Sequence, residues 1–265
     1  MRKFDYSFLD NGLLPANLIN LTSTIYSLKT GAEIKKDEYQ KIFTELEKIA
    51  KVQSVKSSNA IEGIITSDER INQIVNQSSE PLNHNEQEIA GYRDALNQIH
   101  LHYNDMSFNE NTILKLHETM MMYGGYEYAG KYKTDDNLII EEDSEGNRKV
   151  RFKPVSAKDT PKAMQQLVLA YMDASSNSNI NQLLLIPCVI LDFLCIHPFK
   201  DGNGRMSRLL SLLLLYKNGF DAGKYVSFEE QINNSKGYYY TLNLDGDRVS
   251  KILVNSKEEG IQNFS

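Results

Sequence analysis

The chain has 265 residues, 29 Lys+Arg against 35 Asp+Glu, and a formal charge of −6. A composition 41% hydrophobic and 24% charged excludes wholesale disorder and leaves room for one sizeable core or two smaller ones. The acidic balance argues against a surface that grips nucleic acid by counterion release, and the start, Met-Arg-Lys-Phe-Asp-Tyr-Ser, lacks the apolar run of a secretory signal, so a cytoplasmic protein is expected.

Helical periodicity dominates the chain. Ile42, Leu46 and Ile49 mark an early helix, and Thr66 with Glu69 opens a short one. Asn83, with Glu86 three residues on, caps a longer helix whose face is Ile89, Tyr92, Leu96, Ile99 and Tyr103. Ile113, Leu116, His117 and Met120 mark the next. Residues 137–142 and 149–153 are strand-like runs around Asp143-Ser-Glu-Gly-Asn147, and Pro154 ends the second run, which predicts a single hairpin. A lone hairpin is marginal in water unless it packs on something, so it is expected to lie over the helices and to lend a strand edge to a visiting peptide. Thr160-Pro161 starts a helix with Met164, Leu167, Val168 and Tyr171 buried behind it.

Residues 183–196 are the most apolar stretch, but they contain Pro187 and Asp192 and fall short of the roughly 20 residues a spanning helix needs. The stretch reads as a buried core helix, with no membrane association. Cys188 and Cys195 share one face of it and read as reduced core thiols, without a disulfide or a zinc site. Residues 205–218 form another helix closed by Gly219, and a last one starts at Ser227 with Glu230 in the capping-box position. His84, His100, His102 and His117 share no motif and read as structural or surface residues. The expected fold class is all-α.

The chemistry concentrates in His197-Pro-Phe-Lys-Asp-Gly-Asn-Gly-Arg-Met-Ser-Arg208, between the two most apolar helices. Glycine turns at a helix N-terminus point several N–H groups into one space, an anion site suited to phosphate. Arg205 and Arg208, three apart on the first turns, add charged forks for phosphate oxygens. Asp201 is a hard carboxylate able to hold Mg²⁺, and His197, as the nearby side chain whose type has an unperturbed pKa near neutrality, could accept a proton from an attacking hydroxyl. Phosphoryl or nucleotidyl transfer uses all four features, and Phe199 is expected to anchor the loop in the core.

Residues 197–208 match the Fic-family pattern His-x-Phe-x-Asp-Gly-Asn-Gly-Arg-x-x-Arg at every specified position. The chain resembles that family further in Gly130-Lys-Tyr-Lys, in the hairpin ending Arg151-Phe-Lys-Pro154, which looks like the family's flap, and in Tyr238-Tyr-Tyr-Thr-Leu242. The resemblance implies an all-α, Fic-type helical bundle with one β-hairpin flap over the active site, and transfer of AMP from ATP to a protein hydroxyl. On that likeness His197 is the base and Asp201 holds Mg²⁺. Gly202, Asn203 and Gly204 cradle the phosphates, Arg205 and Arg208 complete the clamp, and Tyr238 and Tyr239 lie on the adenine side.

Upstream, Ser57-Ser58-Asn-Ala-Ile-Glu62-Gly63 resembles the family's inhibitory motif, with Ser58 and Glu62 four apart on one helix face. The likeness implies that Glu62 pairs with Arg208 and competes with the ATP γ-phosphate, leaving a weakly active resting state. The implied organisation is an N-terminal helical region over 1–82 carrying the inhibitory helix, a catalytic core over 83–225 with the flap at about 137–154, and a helical extension over 226–265. The implied partners are a target protein with an exposed Ser, Thr or Tyr docked on the hairpin, ATP, and a second copy in a homodimer. The alternatives are a family member that removes AMP, one that transfers another phosphate-bearing group, and a nucleotide-responsive interaction module without turnover.

Overall fold

Local capping by a side chain decides where half of the described α-helices begin. The computed structural model describes residues 4–12, 14–142 and 148–235. Among them run α1 (Phe8–Asn11), α2 (Ala16–Glu38), α3 (Gln40–Ile61), α4 (Asp68–Gln77), α5 (His84–His102) and α6 (Glu110–Met121). Strands β1 (Ile139–Glu142) and β2 (Arg148–Phe152) follow, then α7 (Thr160–Ser176), α8 (Gln182–Ile196), α9 (Asn203–Lys217) and α10 (Phe228–Asn234). The side chains of Asn83, Asn109, Asn181 and Ser227 accept from first-turn N–H groups of α5, α6, α8 and α10, satisfying donors that a helix start leaves open. Ser67 does the same for α4. Thr66, the expected opener of that helix, instead donates to Glu86 Oε1 at 3.1 Å.

Ile42, Leu46 and Ile49 lie on the expected early helix, α3, where all three are exposed, and its second half is buried through Ala50, Ser54, Val55, Ser57, Ser58, Asn59 and Ile61. Cys188 and Cys195 are half-buried rather than core residues. Helix α2 has no counterpart in the sequence reading. Its Ile19, Leu21, Leu28 and Ile34 are exposed and spread around the axis, so no one-sided stripe announces it.

The described residues divide into two units, one of 4–12, 131–142 and 148–203, the other of 14–130 and 204–235. In the second unit α3 packs on α4, α5 and α10, and α5 packs on α6. The last pair approaches backbone to backbone: a Cβ on Gly91 would overlap the carbonyl oxygen of Met120. Ile89, Tyr92, Leu96, Ile99, Ile113 and Leu116 are wholly buried in this unit. In the first unit α7 packs on α8, with Leu167, Leu185, Val189 and Phe193 enclosed and Pro187 inside the helix. The N-terminal segment is tied to α8 by Tyr6, whose hydroxyl donates to the buried Asp192 Oδ2 at 2.8 Å.

Strands β1 and β2 form an antiparallel pair, Ile139 opposite Phe152 and Glu142 opposite Arg148, with a register irregularity after Ile139. The expected turn from Asp143 to Asn147 lies outside the described residues, as do Tyr238, Tyr239 and residues 236–265 of the expected extension. The chain is mostly helical, and no helix among the described residues is long and apolar enough to cross a membrane.

Candidate active site

Helix α8 ends on His197, which adopts the left-handed conformation at φ 51° and ψ 61°, its N–H donating to Phe193 O at 2.9 Å. Left-handed backbone is unusual for a residue with a side chain. After it the loop dives inward. Phe199 is 0% exposed, with its ring centroid 6.3 Å from Phe193 and 6.1 Å from Tyr132. Asn203 closes the loop on itself: its Oδ1 accepts from the Phe199 N–H at 2.9 Å and its Nδ2 donates to Phe199 O at 2.8 Å. The amide side chain expected beside a phosphate is thus engaged in shaping the turn.

Asp201 is exposed, and its Oδ1 accepts from the Gly202 N–H at 2.6 Å. Gly202 has φ 79°, a conformation glycine adopts without steric cost. No group of three or more His, Cys, Asp or Glu among the described residues could hold a metal. One exposed carboxylate fits Mg²⁺ when phosphate and water oxygens complete the shell, the usual way this ion is held beside nucleotides.

The boundary between the two units falls between Asn203 and Gly204, inside the motif. On the far side of it, within the second unit, Arg208 is 4% exposed and gripped by the end of α3. Its Nε donates to Ser58 Oγ at 2.8 Å, and its Nη2 donates to Ser58 O at 2.9 Å and to Glu62 Oε1 at 2.7 Å. Gly63, at φ 79°, ends the helix just behind Glu62. A Cβ on Gly204 would collide with Glu62 Oε1 and stand 3.5 Å from Arg208 Nη1, so the carboxylate rests directly on the first turn of α9, where helix N–H groups attract anions. The spacing of Ser58, Glu62 and Gly63 in the sequence therefore corresponds to one assembled contact.

The packing behind it supports it. Tyr92 donates to Glu229 Oε1 at 3.0 Å and Ser227 Oγ donates to Glu229 Oε2 at 3.3 Å, and α3 packs on both α5 and α10. Burial pushes the Tyr92 phenol well above its ordinary range, so it remains a donor. This ties α10, α5 and α3 together behind the Arg208 contact.

Arg205 has a different neighbour, one the sequence reading missed. Its guanidinium is 1% exposed and donates through Nη1 to Glu88 Oε2, while its Nε has no hydrogen-bond partner among the described residues. Glu88 Oε1 in turn accepts from the Tyr126 hydroxyl at 2.6 Å. A signal was present in the sequence: Glu88 stands four before Tyr92 and eight before Leu96, on the apolar face of α5, where a carboxylate requires a buried partner.

The family model for Fic/DOC proteins matches residues 107–215. A Fido domain-containing protein of Dictyostelium discoideum is 28% identical over 133 residues, 49% of this chain and 91% of that protein. Among solved structures, the fold is similar to that of a Fic family protein from Desulfovibrio desulfuricans, with a TM-score of 0.73 and 24% identity over 90% of this chain and 69% of that one. A Fic domain-containing signaling protein from Bacteroides thetaiotaomicron is similar with a TM-score of 0.64 and 19% identity, over 92% of this chain and 99% of its own.

Proposed function

We propose, on the premise of a Fic/DOC domain over residues 107–215, that this chain transfers AMP from ATP to a Ser, Thr or Tyr hydroxyl of a target protein or of itself, and that Glu62 keeps the resting chain weakly active. Fic-family proteins generally transfer nucleotide or other phosphate-bearing groups to proteins. The observation that carries the reading is the Arg208 contact, in which Ser58 and Glu62 occupy a guanidinium at 2.7 to 2.9 Å and Glu62 lies on Gly204. A carboxylate in that position competes with a triphosphate for the same donors.

In the transfer, His197 accepts the proton of the attacking hydroxyl. The hydroxyl oxygen bonds to the α-phosphorus as the bond to the bridging oxygen breaks and pyrophosphate leaves. Backbone N–H groups at Gly202, Asn203 and Gly204 stabilise charge on the phosphate oxygens. Arg208 is the fork that opens to phosphate once Glu62 withdraws, whereas Arg205, expected in the same clamp, is engaged by Glu88. Asp201 would hold Mg²⁺, whose charge would offset that of the phosphates. The adenine-side role of Tyr238 and Tyr239 and the docking of a target on the β1–β2 hairpin belong to the same proposal.

The test is incubation with Mg²⁺ and ATP labelled at the α- or the γ-phosphate, comparing the natural chain, Glu62→Gly and Glu62→Gly/His197→Ala. Strong protein-bound α-label in Glu62→Gly alone is expected. Bound γ-label would redirect the reading to phosphotransfer, and no label with ATP binding intact would overturn the transferase. A second reading, removal of AMP, is favoured by the position of Glu62: its side chain is 32% exposed and so could orient a water. In that case the natural chain, and not Glu62→Gly, strips label from an AMP-modified protein.

A further inference from the structure

Lys133 closes the Gly130-Lys-Tyr-Lys stretch, has no part in the transfer described above, and is only 5% exposed. Its Nζ donates to Ile196 O at 3.1 Å and to Asn137 Oδ1 at 2.7 Å, and its backbone N–H donates to Pro198 O at 2.9 Å. Asn137 Nδ2 donates to His197 O at 3.4 Å and to Phe199 O at 3.3 Å. The carbonyls of 196, 197, 198 and 199 are thus all held by Lys133 and Asn137.

These carbonyls flank the strained residue. A left-handed residue with a Cβ costs about 1–2 kcal/mol, and such a conformation persists only where its surroundings over-determine it. Burying an ammonium group is also unfavourable, and desolvation lowers the Lys133 pKa to about 8, against the opposing pull of Asp136. Both costs fall at one place, on either side of the imidazole read as the base.

We propose that Lys133 is a positioning residue for the transfer. With Asn137 it fixes the carbonyls before, at and after His197, holds that residue left-handed, and so sets the direction of the imidazole toward the attacking hydroxyl. Lys133 touches neither substrate. The inference rests on the reading of His197 as the base, and its test is built so that the two fail separately.

In the activated Glu62→Gly background, Lys133→Met is expected to lower kcat for α-label transfer by about tenfold to a hundredfold, the scale of an ångström-sized misplacement, with KM for ATP within about twofold. The same substitution added to His197→Ala is expected to change the residual rate less than about twofold, because residues acting through one another are not additive. The ring signals of His197 in ¹H–¹³C spectra, assigned by their loss in His197→Ala, are expected to shift in Lys133→Met. Asn137→Ala supplies a second variant should Lys133→Met not fold. An unchanged kcat together with unmoved His197 ring signals in a folded variant overturns the proposal, as does an equal loss of kcat with and without His197. If no variant transfers label, the transferase reading falls, and the ring signals alone decide the positioning.

Discussion

Arg205 and Arg208 stand three residues apart on α9 and each meets a glutamate, but the two glutamates are held in different ways. Glu88 lies in the second turn of α5 with its side chain 4% exposed, and a second donor, the Tyr126 hydroxyl, holds its other oxygen. Glu62 sits just past the last turn of α3, followed by a left-handed glycine, with its side chain 32% exposed. One carboxylate is enclosed in a core helix, and the other rests at a chain end that opens to solvent. An enclosed pair resists separation because either partner left alone is a buried uncompensated charge, whereas Glu62 on leaving returns its carboxylate to water and the buried Arg208 keeps its hydrogen bonds to Ser58 Oγ and Ser58 O. The same two residue types thus give one enclosed and one partly exposed pair within one unit, and the proposed regulation uses the second.

The largest expected effect comes from breaking the enclosed pair. Glu88→Ala strands Arg205 and is expected to destabilise the chain by about 3–5 kcal/mol in urea unfolding, with Glu88→Gln losing less because an amide still accepts. Glu62→Gly is expected to destabilise less than Glu88→Ala, because Arg208 keeps both hydrogen bonds to Ser58, while raising AMP transfer about tenfold or more, the effect of roughly 1.4 kcal/mol of lost competition. If Glu62→Gly destabilised as much as Glu88→Ala, the distinction between the pairs would be lost. Ser58→Ala removes one acceptor and leaves the Ser58 carbonyl and Glu62 in place, so a smaller gain, about fivefold for a hydrogen bond of about 1 kcal/mol, is expected in the label assay.

The smallest effects are read by acid titration. Burial, with the charges of Lys224 and Lys51 adding to it, pushes His100 down to about 4. The unfolded chain therefore takes up a proton below about 6.5 that the folded chain refuses until about 4, and stability falls across that window. Glu86 moves the other way: the hydrogen bond from Arg70 holds it at about 2, so its contribution is present above the ordinary carboxylate range and is lost as pH falls through about 2. His100→Phe is expected to flatten the first limb of a stability-against-pH curve and Arg70→Ala the second.

Much of this was legible in the sequence where the cause is local. Asn83 and Ser227 cap their helices as the sequence indicates, because a cap needs only its own first turn. The Ser58–Glu62 spacing also foretells a shared face, and the Arg208 contact uses it. Thr66 misleads because Ser67, equally able to cap, stands beside it, and the choice falls to Glu86, which recruits Thr66 from 20 residues away. Helix α2 stays hidden because its apolar residues follow no single face. Glu88 and Lys133 were passed over because their partners, Arg205 and Ile196, lie 117 and 63 residues further along the chain, and no local pattern encodes such a meeting.

The pairing of Arg205 with Glu88 has an electrostatic consequence. Because Arg205 is already paired with Glu88, departure of Glu62 from Arg208 makes the charge at the first turns of α9 more positive by one unit. On the proposed transferase reading, release of that single side chain raises the local potential, so a triphosphate is expected to be drawn in faster, with a gain that fades as added salt shortens the Debye length.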